Sequence, residues 1–268
     1  MRRQLQTIAL FIFFISGYLQ ADIAVLVHGY HSSGNTWRYN GITQLLGNNG
    51  WNDGGFYTLQ GNHNLFGKTL SNSGKYLVTA ELPSEAPVEI QANLLTQYLN
   101  DIKHRFPQQK IHLVAHSSGG IVTRLALVNN YSQNEQFNVT QLITIATPHL
   151  GSPIARMVNR ASDTPIGIIA PLIGGDEINR AEVLYKQLSP EDKNHFLFWL
   201  NRQAHPPMKY TSIIRGDGSI MKGDWLVPPG SQNMALIPTI GVKAQTIRTP
   251  GDHDLKYADG FLLVRLLP

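Results

Sequence analysis

The 268-residue sequence predicts an α/β fold in which helices flank a mainly parallel sheet. Two observations predict this class. Short, nearly continuous apolar runs recur along the chain, and segments with a helical spacing of apolar residues separate them. Parallel strands are covered by helices on both faces, so they read as unbroken apolar runs. The length fits one globular domain with room for an inserted cap.

Six apolar runs predict the strands. In chain order they are "IAVLVHG" from residue 23, "YLVTAEL" from 76, "KIHLVAH" from 110, "QLITIAT" from 141, "YTSIIRG" from 210 and "VKAQTIR" from 242. The stretch 51–75, between the first two runs, is rich in Gly and Asn, which predicts a loop.

Four further segments predict the helices. The strongest signal is "APVEIQANLLTQYLNDIKHRF" from residue 86, whose apolar residues recur with a helical period and which Pro107 ends. The others are "WRYNGITQLLGNNG" from residue 37, "GGIVTRLALV" from 119 and the closing "DLKYADGFLLVRLL" from 254.

The segment of about 152–208 lies between the fourth and fifth strands and is too long for a plain crossover, so we interpret it as a cap or lid insertion. Its Gly- and Pro-broken part, "DTPIGIIAPLIGGDEIN", either forms an apolar acyl pocket or lid or completes the core. Its second part, "LSPEDKNHFLFWLN", predicts a cap helix with Phe196, Leu197 and Leu200 facing inward.

The first 21 residues, "MRRQLQTIALFIFFISGYLQA", have the layout of a secretory signal peptide: a basic start, an apolar run and a small residue at the end. The apolar run is about 12 residues, shorter than the roughly 20 that span a bilayer. We expect residues 1–21 to be a signal peptide, 22–268 to be the mature domain, and the product to be secreted or periplasmic. A retained membrane anchor is the alternative.

Composition narrows the classes of function. The formal net charge is +4, and no dense Lys/Arg stripe with interleaved aromatic residues is present, so we expect no nucleic-acid partner. The chain has no cysteine, which excludes disulfides, thiolate metal sites and a Cys nucleophile. No spacing of His, Asp and Glu requires a metal, and we expect no cofactor, with a structural calcium left open.

Two adjacent serines in "KIHLVAHSSGG" join a predicted strand to a predicted helix. A serine nucleophile needs a base and an oxyanion site, and a sharp strand-to-helix turn presents its hydroxyl above the sheet. The residues two before and two after it must be small. Ser117 meets this condition with Ala115 and Gly119, whereas Ser118 has the bulky His116 two positions before it. We therefore expect Ser117 to be the nucleophile, with N-cap serines in a polar turn as the alternative.

Two backbone amides are candidates for the oxyanion site. Ser118 follows the nucleophile at the first turn of the helix, where its N–H is available to bind an oxyanion. Tyr30 follows "VLVHG" at the end of the first strand, and its N–H would face the same point across the sheet. A plain loop glycine is the alternative interpretation of Gly29.

Five motifs, "LVHGY", "VAHSSGG", "ATPHLGSP", "DWLVPPGS" and "GDHDL", span most of the chain in this order. On these motifs the chain resembles the α/β-hydrolase superfamily, and within it the lipase and esterase-like branch. The resemblance implies a compact α/β-hydrolase fold with a cap insertion and a Ser-His-Asp triad. Ala115 stands where Gly is more usual, which keeps that position small. The antiparallel edge strands of larger members are not expected.

The resemblance also orders the triad as nucleophile, acid and then His. His253 lies beyond every other histidine, in a loop between the last strand and the closing helix, and is the candidate base. Asp224 opens "DWLVPPGS", which resembles the family's acid loop, and is favoured as the acid over Asp217. Asp252 and Asp254 are too close to His253 in sequence to orient its ring easily.

Three other histidines receive no catalytic role. His149 belongs to "TPHLGS", a segment that is more often structural than catalytic in lipases of this kind. We expect His116 to pack beneath the turn at Ser117 and His205 to be a loop residue.

The predicted activity is hydrolysis of carboxylic esters, with lipid or acyl esters as the expected small-molecule substrates. A thioesterase or a lipid acyltransferase would use the same triad, and a non-catalytic binding protein of the same fold is a further alternative. The sequence leaves open transient contact with a membrane or lipid surface, the acyl chain length and the oligomeric state.

Overall fold

The structure is a computed structural model that describes residues 22–58, 74–134, 137–156, 175–190, 192–216 and 223–268. These residues form a seven-stranded sheet. The strands, in chain order, are β1 Asp22–Val27, β2 Trp51–Tyr57, β3 Lys75–Ala80, β4 Lys110–His116, β5 Val139–Ile145, β6 Lys209–Arg215 and β7 Ala244–Thr249.

Every neighbouring pair of strands is parallel, and the spatial order is β2-β3-β1-β4-β5-β6-β7. The sequence prediction of a mainly parallel sheet is confirmed. Because all the strands run in one direction, their carboxyl ends meet along a single edge of the sheet, where functional loops of such folds gather.

The helices of the described residues are α1 Thr36–Tyr39, α2 Ile42–Gly47, α3 Val88–Arg105, α4 Ser118–Ser132, α5 Gly175–Leu188, α6 Phe196–Leu200 and α7 Tyr257–Leu266. Two 3-10 helices, Met234–Leu236 and Gly241–Lys243, precede β7. The single short helix predicted from residue 37 is divided into α1 and α2 at Gly41, whose φ of 69° only glycine adopts readily.

Strand β2 corrects the sequence prediction, which assigned residues 51–75 to a loop. Its glycines obscured the strand pattern: Gly55 has a φ of 88°, and the pairing with β3 shifts register between Asp53 and Phe56. An edge strand pairs on one side only and tolerates such a bulge. Trp51 and Tyr57 are buried at its two ends, which anchors the strand to the core. Residues 59–73 lie outside the described residues.

Two apolar clusters cover the two faces of the sheet. Along β1, Ile23, Val25 and Val27 belong to one cluster, and Ala24 and Leu26 belong to the other. This alternation is what a strand covered on both faces requires, since successive side chains point to opposite faces. The first cluster includes residues of α3, α4, α5 and α6, and the second includes residues of α2 and α7.

The insertion between β5 and β6 is described in part. Leu197 and Leu200 of α6 are fully buried in the first cluster, and Phe196 packs against it, which agrees with the predicted inward face. The apolar stretch around residues 166–173, predicted as a pocket, lid or core segment, lies outside the described residues, as do residues 1–21. Within the described ranges, no helix combines the length and the apolar character needed to cross a bilayer.

Candidate active site

Ser117 occupies the turn between β4 and α4. Its φ of 51° and ψ of −133° are strained values for a residue with a Cβ atom, as expected at a sharp strand-to-helix turn. The Ser117 amide donates to the carbonyl of Ile145 at 2.9 Å, and its carbonyl accepts from the Gly120 amide at 3.0 Å. The turn is thereby fixed to the neighbouring strand and to the first turn of the helix.

Glycines are required where the end of β1 approaches this turn. A Cβ atom on Gly29 would lie 2.7 Å from Cβ of Ser117, closer than two carbon atoms can pack. A Cβ atom on Gly119 would collide with the carbonyl oxygen of His28, and one on Gly120 with the Thr147 side chain. The sequence argument required a small residue at position 119, and the structure identifies the backbone that it must avoid.

The side chains of Ser117, His253 and Asp224 form one hydrogen-bonded chain. Oγ of Ser117 lies 2.7 Å from Nε2 of His253, and Nδ1 of the same ring lies 2.6 Å from Oδ2 of Asp224. The Asp224 side chain is fully buried and the His253 side chain is 13% exposed. The structure therefore brings Ser117 together with two residues that lie more than a hundred positions further along the chain.

Both oxygens of the Asp224 carboxylate accept hydrogen bonds from neighbouring groups other than His253. Oδ1 accepts from the amides of Leu226 and Val227, both at 2.9 Å, and Oδ2 accepts from Nε2 of Gln232 at 3.1 Å. A carboxylate that accepts these three hydrogen bonds is an acceptor toward His253 as well. Nδ1 of His253 therefore donates to Oδ2 of Asp224. The lone pair of Nε2 is then directed at the Ser117 hydroxyl, which is the tautomer that a general base needs.

Gln232 is a site residue that the sequence reasoning missed. It is almost fully buried, and besides Asp224 it contacts the carbonyl of Val227 at 2.6 Å and the amide of Arg215 at 2.7 Å. It thus ties the loop that carries Asp224 to the end of β6. A single glutamine eight positions after Asp224 has no local pattern that distinguishes it from a surface residue.

A buried ion pair anchors the loop that carries His253. Arg215, at the end of β6, binds both carboxylate oxygens of Asp259 on α7, at 2.8 and 2.6 Å. The same guanidinium donates to the carbonyl of Asp254 at 3.0 Å. Asp259 also accepts from the Lys256 amide at 2.7 Å. The candidate base therefore sits on a short loop held at its C-terminal side by a buried pair of opposite charges.

Among the described candidates, neither Asp252 nor Asp254 is hydrogen-bonded through its carboxylate to the His253 ring. Asp252 binds Lys256, which holds the pKa of its carboxyl below the ordinary value, and the Asp252 carboxylate also accepts from the Asp254 amide at 3.2 Å. Asp217 lies outside the described residues. Of the described carboxylates, Asp224 is the one whose oxygen is hydrogen-bonded to the His253 ring.

The loop that follows β1 lies against the turn at Ser117, because Gly29 packs directly on Cβ of that residue. His28 fixes this loop: Nε2 accepts from the Leu82 amide at 3.1 Å, and Nδ1 contacts the carbonyl of Gly29 at 3.0 Å. Burial lowers the pKa of His28, so the ring is neutral. Tyr30 directly follows Gly29, and Ser118 directly follows Ser117. The two predicted oxyanion donors are therefore next in sequence to two residues that pack against each other.

The helical insertion reaches the same loop. Tyr185, near the end of α5, donates to the hydroxyl of Tyr30 at 3.0 Å, and the two rings meet edge to face. Gln187 of α5 accepts from the Val88 amide at 2.8 Å, which ties α5 to the start of α3. The described part of the insertion is thus packed against the candidate oxyanion loop.

His149 and His205 belong to a buried network around Arg124. The Arg124 guanidinium lies 3.4 Å from Nδ1 of His149, donates to Nε2 of His205 at 3.2 Å and donates to Oδ1 of Asn201 at 2.7 Å. Burial, and then the charge of Arg124, lower the pKa of His205 to about 3 and that of His149 well below its ordinary value. Both rings are neutral, and the network joins the insertion to α4.

Within the described ranges, no group of three or more His, Cys, Asp and Glu side chains is arranged to hold a metal ion. The hydrogen-bonded arrangement of Ser117, His253 and Asp224 is the one in which a serine, a base and an orienting carboxylate would act together.

Comparison with known proteins assigns a family. Residues 20–162, more than half of the chain, match the family described as "Putative serine esterase (DUF676)". A curated relative, Triacylglycerol lipase 2 of Saccharomyces cerevisiae, is 30% identical over 95 residues. That alignment covers 34% of this chain and spans about 28% of the yeast protein.

Solved structures share the fold at low sequence identity. Lipase BlEst2 of Bacillus licheniformis in its mature form has a TM-score of 0.54 at 19% identity, over 93% of this chain and 92% of that one. The lin2722 product of Listeria innocua has a TM-score of 0.57 at 14% identity, over 87% and 85%. These likenesses establish the fold, and the family match establishes the class of enzyme. The chain is an α/β-hydrolase of the lipase and esterase-like branch and belongs to the serine esterase family DUF676.

Proposed function

We propose that this esterase hydrolyses lipid or acyl esters through an acyl-enzyme on Ser117, with His253 as the base and Asp224 as the orienting acid. One observation carries the proposal: the unbroken hydrogen-bonded chain from Ser117 Oγ to His253 Nε2 at 2.7 Å and from His253 Nδ1 to Asp224 Oδ2 at 2.6 Å. Both distances lie within the reach that proton transfer requires.

The first half of the reaction forms the acyl-enzyme. Ser117 Oγ attacks the ester carbonyl carbon while its proton passes to Nε2 of His253, and the carbonyl oxygen becomes an oxyanion. Asp224 stabilises the imidazolium through the hydrogen bond from Nδ1. When the tetrahedral intermediate collapses, the bond to the ester oxygen breaks, and that oxygen takes the proton from Nε2 and leaves as an alcohol.

The second half releases the acid. A water molecule gives a proton to Nε2 of His253, and the resulting hydroxide attacks the acyl carbon. The new tetrahedral intermediate collapses with cleavage of the bond to Oγ, which recovers its proton from Nε2. Water has then added across the ester bond, and the enzyme has returned to its starting state.

The amides of Tyr30 and Ser118 are proposed to bind the oxyanion. The packing of Gly29 on Ser117 supports this assignment, as does the position of Ser118 at the start of α4, where the helix dipole favours negative charge. Loss of one such donor typically lowers turnover by a factor on the order of 10²–10³.

The substrate and the location of the enzyme are inferred from its relatives and from the N-terminal sequence. The resemblance to the yeast triacylglycerol lipase supports a lipid ester as the substrate. The layout of residues 1–21 supports a signal peptide and a secreted or periplasmic enzyme, with 22–268 as the hydrolase domain. We further propose that about 152–208 act as a cap over the site, because Tyr185 of α5 contacts the Tyr30 loop.

The test uses a fluorophosphonate probe and p-nitrophenyl esters of graded chain length. We expect the probe to label the native enzyme, and we expect Ser117→Ala to abolish both labelling and ester hydrolysis. Ser118→Ala is the matched control, because it keeps the amide and removes only the hydroxyl, and it should retain much of the activity. Full hydrolysis by Ser117→Ala, or equal and severe loss in both variants, would overturn the assignment.

A parallel assay separates the alternatives that use the same triad. Ester, acyl thioester and ester with an added acceptor alcohol are compared at equal concentration. Faster release from the thioester would identify a thioesterase, and transfer to the alcohol an acyltransferase. A folded protein that is neither labelled nor active would identify a binding protein.

A further inference from the structure

His116 contacts the backbone of the candidate base. Its side chain is buried at the end of β4, and Nε2 lies 2.8 Å from the carbonyl oxygen of His253. The next residue, Ser117, contacts the ring of the same histidine. Two consecutive residues of one strand end therefore hold two parts of His253: its imidazole and its backbone carbonyl.

The chemistry of this contact fixes the tautomer of His116. A carbonyl oxygen only accepts, so Nε2 of His116 must carry the proton and donate it. Burial, and then the neighbouring His253, lower the pKa of His116 to about 3, so the ring is neutral and has a single N–H. Nδ1 is left as an acceptor, and it is buried with no hydrogen-bond partner in the described part of the chain.

We propose that His116 is a positioning residue: its hydrogen bond to the His253 carbonyl holds the loop so that the imidazole stays within reach of Ser117. The inference rests on the proposed function. His116 and Ser117 are consecutive residues, so a shift of β4 moves both together. Because His116 is bonded to the His253 carbonyl, His253 would follow this shift and stay close to Ser117.

Simple packing does not explain a histidine at this position. An apolar side chain of similar size would fill the same space and would leave no buried nitrogen unpaired, which is a destabilising feature in a protein interior. The rings of His116 and His253 are 5.3 Å apart and tilted by 49°, so they do not stack face to face. The hydrogen bond from Nε2 is the contact that an apolar replacement could not make.

The neutral charge of His116 suits this role. In the proposed mechanism His253 becomes an imidazolium, and a lysine or arginine as the donor would oppose that second positive charge. A neutral N–H supplies the same directional contact without repulsion. Arg215 provides the other backbone anchor of the loop, on the carbonyl of Asp254, and its charge is neutralised by Asp259.

The test compares two substitutions with identical chemistry and different reach. The amide nitrogen of glutamine extends about as far as Nε2 of histidine, whereas that of asparagine ends near the position of Nδ1. We expect His116→Asn to lower kcat by a factor on the order of 10–10² with little change in KM, since a small misplacement of a catalytic group has this effect. His116→Gln should restore most of kcat.

Three further readouts make the outcome decisive. The rate of fluorophosphonate labelling should fall with kcat in His116→Asn and recover in His116→Gln, and titration with the probe corrects for any unfolded fraction. His112→Asn is the control, because His112 is a buried histidine near the other end of β4, and it should lower the melting temperature without lowering kcat. Thermal unfolding is measured for all three variants.

The possible outcomes separate this inference from the proposed function. Wild-type kcat in His116→Asn, or equal loss in the Asn and Gln variants, would overturn the positioning role while Ser117→Ala remains inactive. Activity in Ser117→Ala would instead overturn the proposed function itself.

Discussion

Gln232 donates to the same carboxylate oxygen of Asp224 that accepts the hydrogen bond from His253, at a distance of 3.1 Å. The contact fixes the plane of the carboxylate as well as its position, since Oδ1 is already held by two backbone amides. Gln232 thus helps to hold the carboxylate that contacts the His253 ring, without a side-chain hydrogen bond to His253 or Ser117 themselves.

Replacement of Gln232 tests this dependence. Gln232→Leu leaves the Arg215 amide and the Val227 carbonyl without their buried partner, and we expect the free energy of unfolding to fall by about 1–3 kcal/mol. The hydrolysis rate should also fall, because one donor to Asp224 is lost. Urea unfolding and p-nitrophenyl ester kinetics measure the two effects. Gln203→Leu, whose side chain makes an exposed contact with the Trp199 carbonyl, should change neither.

Asp224→Asn should be far more damaging to the reaction than to the fold. The amide oxygen would take the place of Oδ1 to accept from Leu226 and Val227, which leaves the NH₂ group facing Nδ1 of His253. The ring would then carry its proton on Nε2 and could not accept from Ser117, and kcat should fall by about 10⁴-fold. Asp252→Asn, in the exposed part of the same loop as the base, is the control and should remain active. A comparable loss of kcat in Asp224→Asn and Asp252→Asn would contradict the assignment of Asp224 as the residue that orients His253.

Removal of one partner should destabilise the buried Arg215–Asp259 pair more than it destabilises an exposed pair. Asp259→Asn leaves a buried guanidinium without its counter-charge, and we expect a loss of about 3–5 kcal/mol in the free energy of unfolding. The exposed pair of Lys186 and Glu182 is the comparison, and Glu182→Gln should cost about 0.5 kcal/mol or less. If urea unfolding gave equal losses for Asp259→Asn and Glu182→Gln, burial of the pair would not raise the cost of removing one partner.

Acid should destabilise the protein through its buried histidines. The pKa of His205 is about 3 in the folded state, so below the ordinary pKa of 6.5 the unfolded state binds a proton that the folded state does not. The stability contributed by this group is therefore present above about pH 6.5 and is lost as the pH falls toward 3, by about 1.4 kcal/mol per pH unit. His205→Gln cannot titrate, and its free energy of unfolding should depend less steeply on pH between about 4 and 6. An unchanged slope would contradict the prediction.

Gly119 should not tolerate even one additional carbon. Gly119→Ala would drive Cβ into the backbone carbonyl of His28, so either the turn at Ser117 or the Gly29 loop must shift. We expect loss of ester hydrolysis together with a lower melting temperature. Gly47→Ala is the matched control, because nothing lies within 4 Å of the added atom on α2, and it should be neutral or stabilising by up to about 1 kcal/mol. A fully active Gly119→Ala would show that the loop can move without consequence.

Features that depend on neighbouring residues could be predicted from the sequence more fully than features that depend on long-range contacts. Steric exclusion singled out Ser117, since it needs only the sizes of Ala115, His116 and Gly119, and chain order singled out His253. The strand β2 was missed because its glycines and its bulge break the periodicity from which strands are predicted. Neighbouring residues thus made Ser117 predictable, whereas the glycines within β2 concealed that strand.

The supporting contacts could not be predicted, because they join residues far apart in the chain. Arg215 and Asp259 are 44 positions apart, and His116 and His253 are 137 apart. Nothing near Arg215 in the sequence distinguishes it from the many arginines that lie on protein surfaces. Such pairs become visible only when the sheet has brought the carboxyl ends of β4, β5, β6 and β7 to one edge.

Strand β7 forms the outer border of the sheet: it pairs with β6 alone, and its six residues are all exposed or half-exposed. His253 is four positions beyond its last residue, whereas Ser117 follows a strand in the middle of the sheet. When the protein is warmed, fraying of this border would free the N-terminal side of the loop and leave the His116 and Arg215 contacts as the anchors of His253. On warming, His116→Asn, which lacks one of these anchors, should therefore lose ester hydrolysis before circular dichroism records any loss of helix.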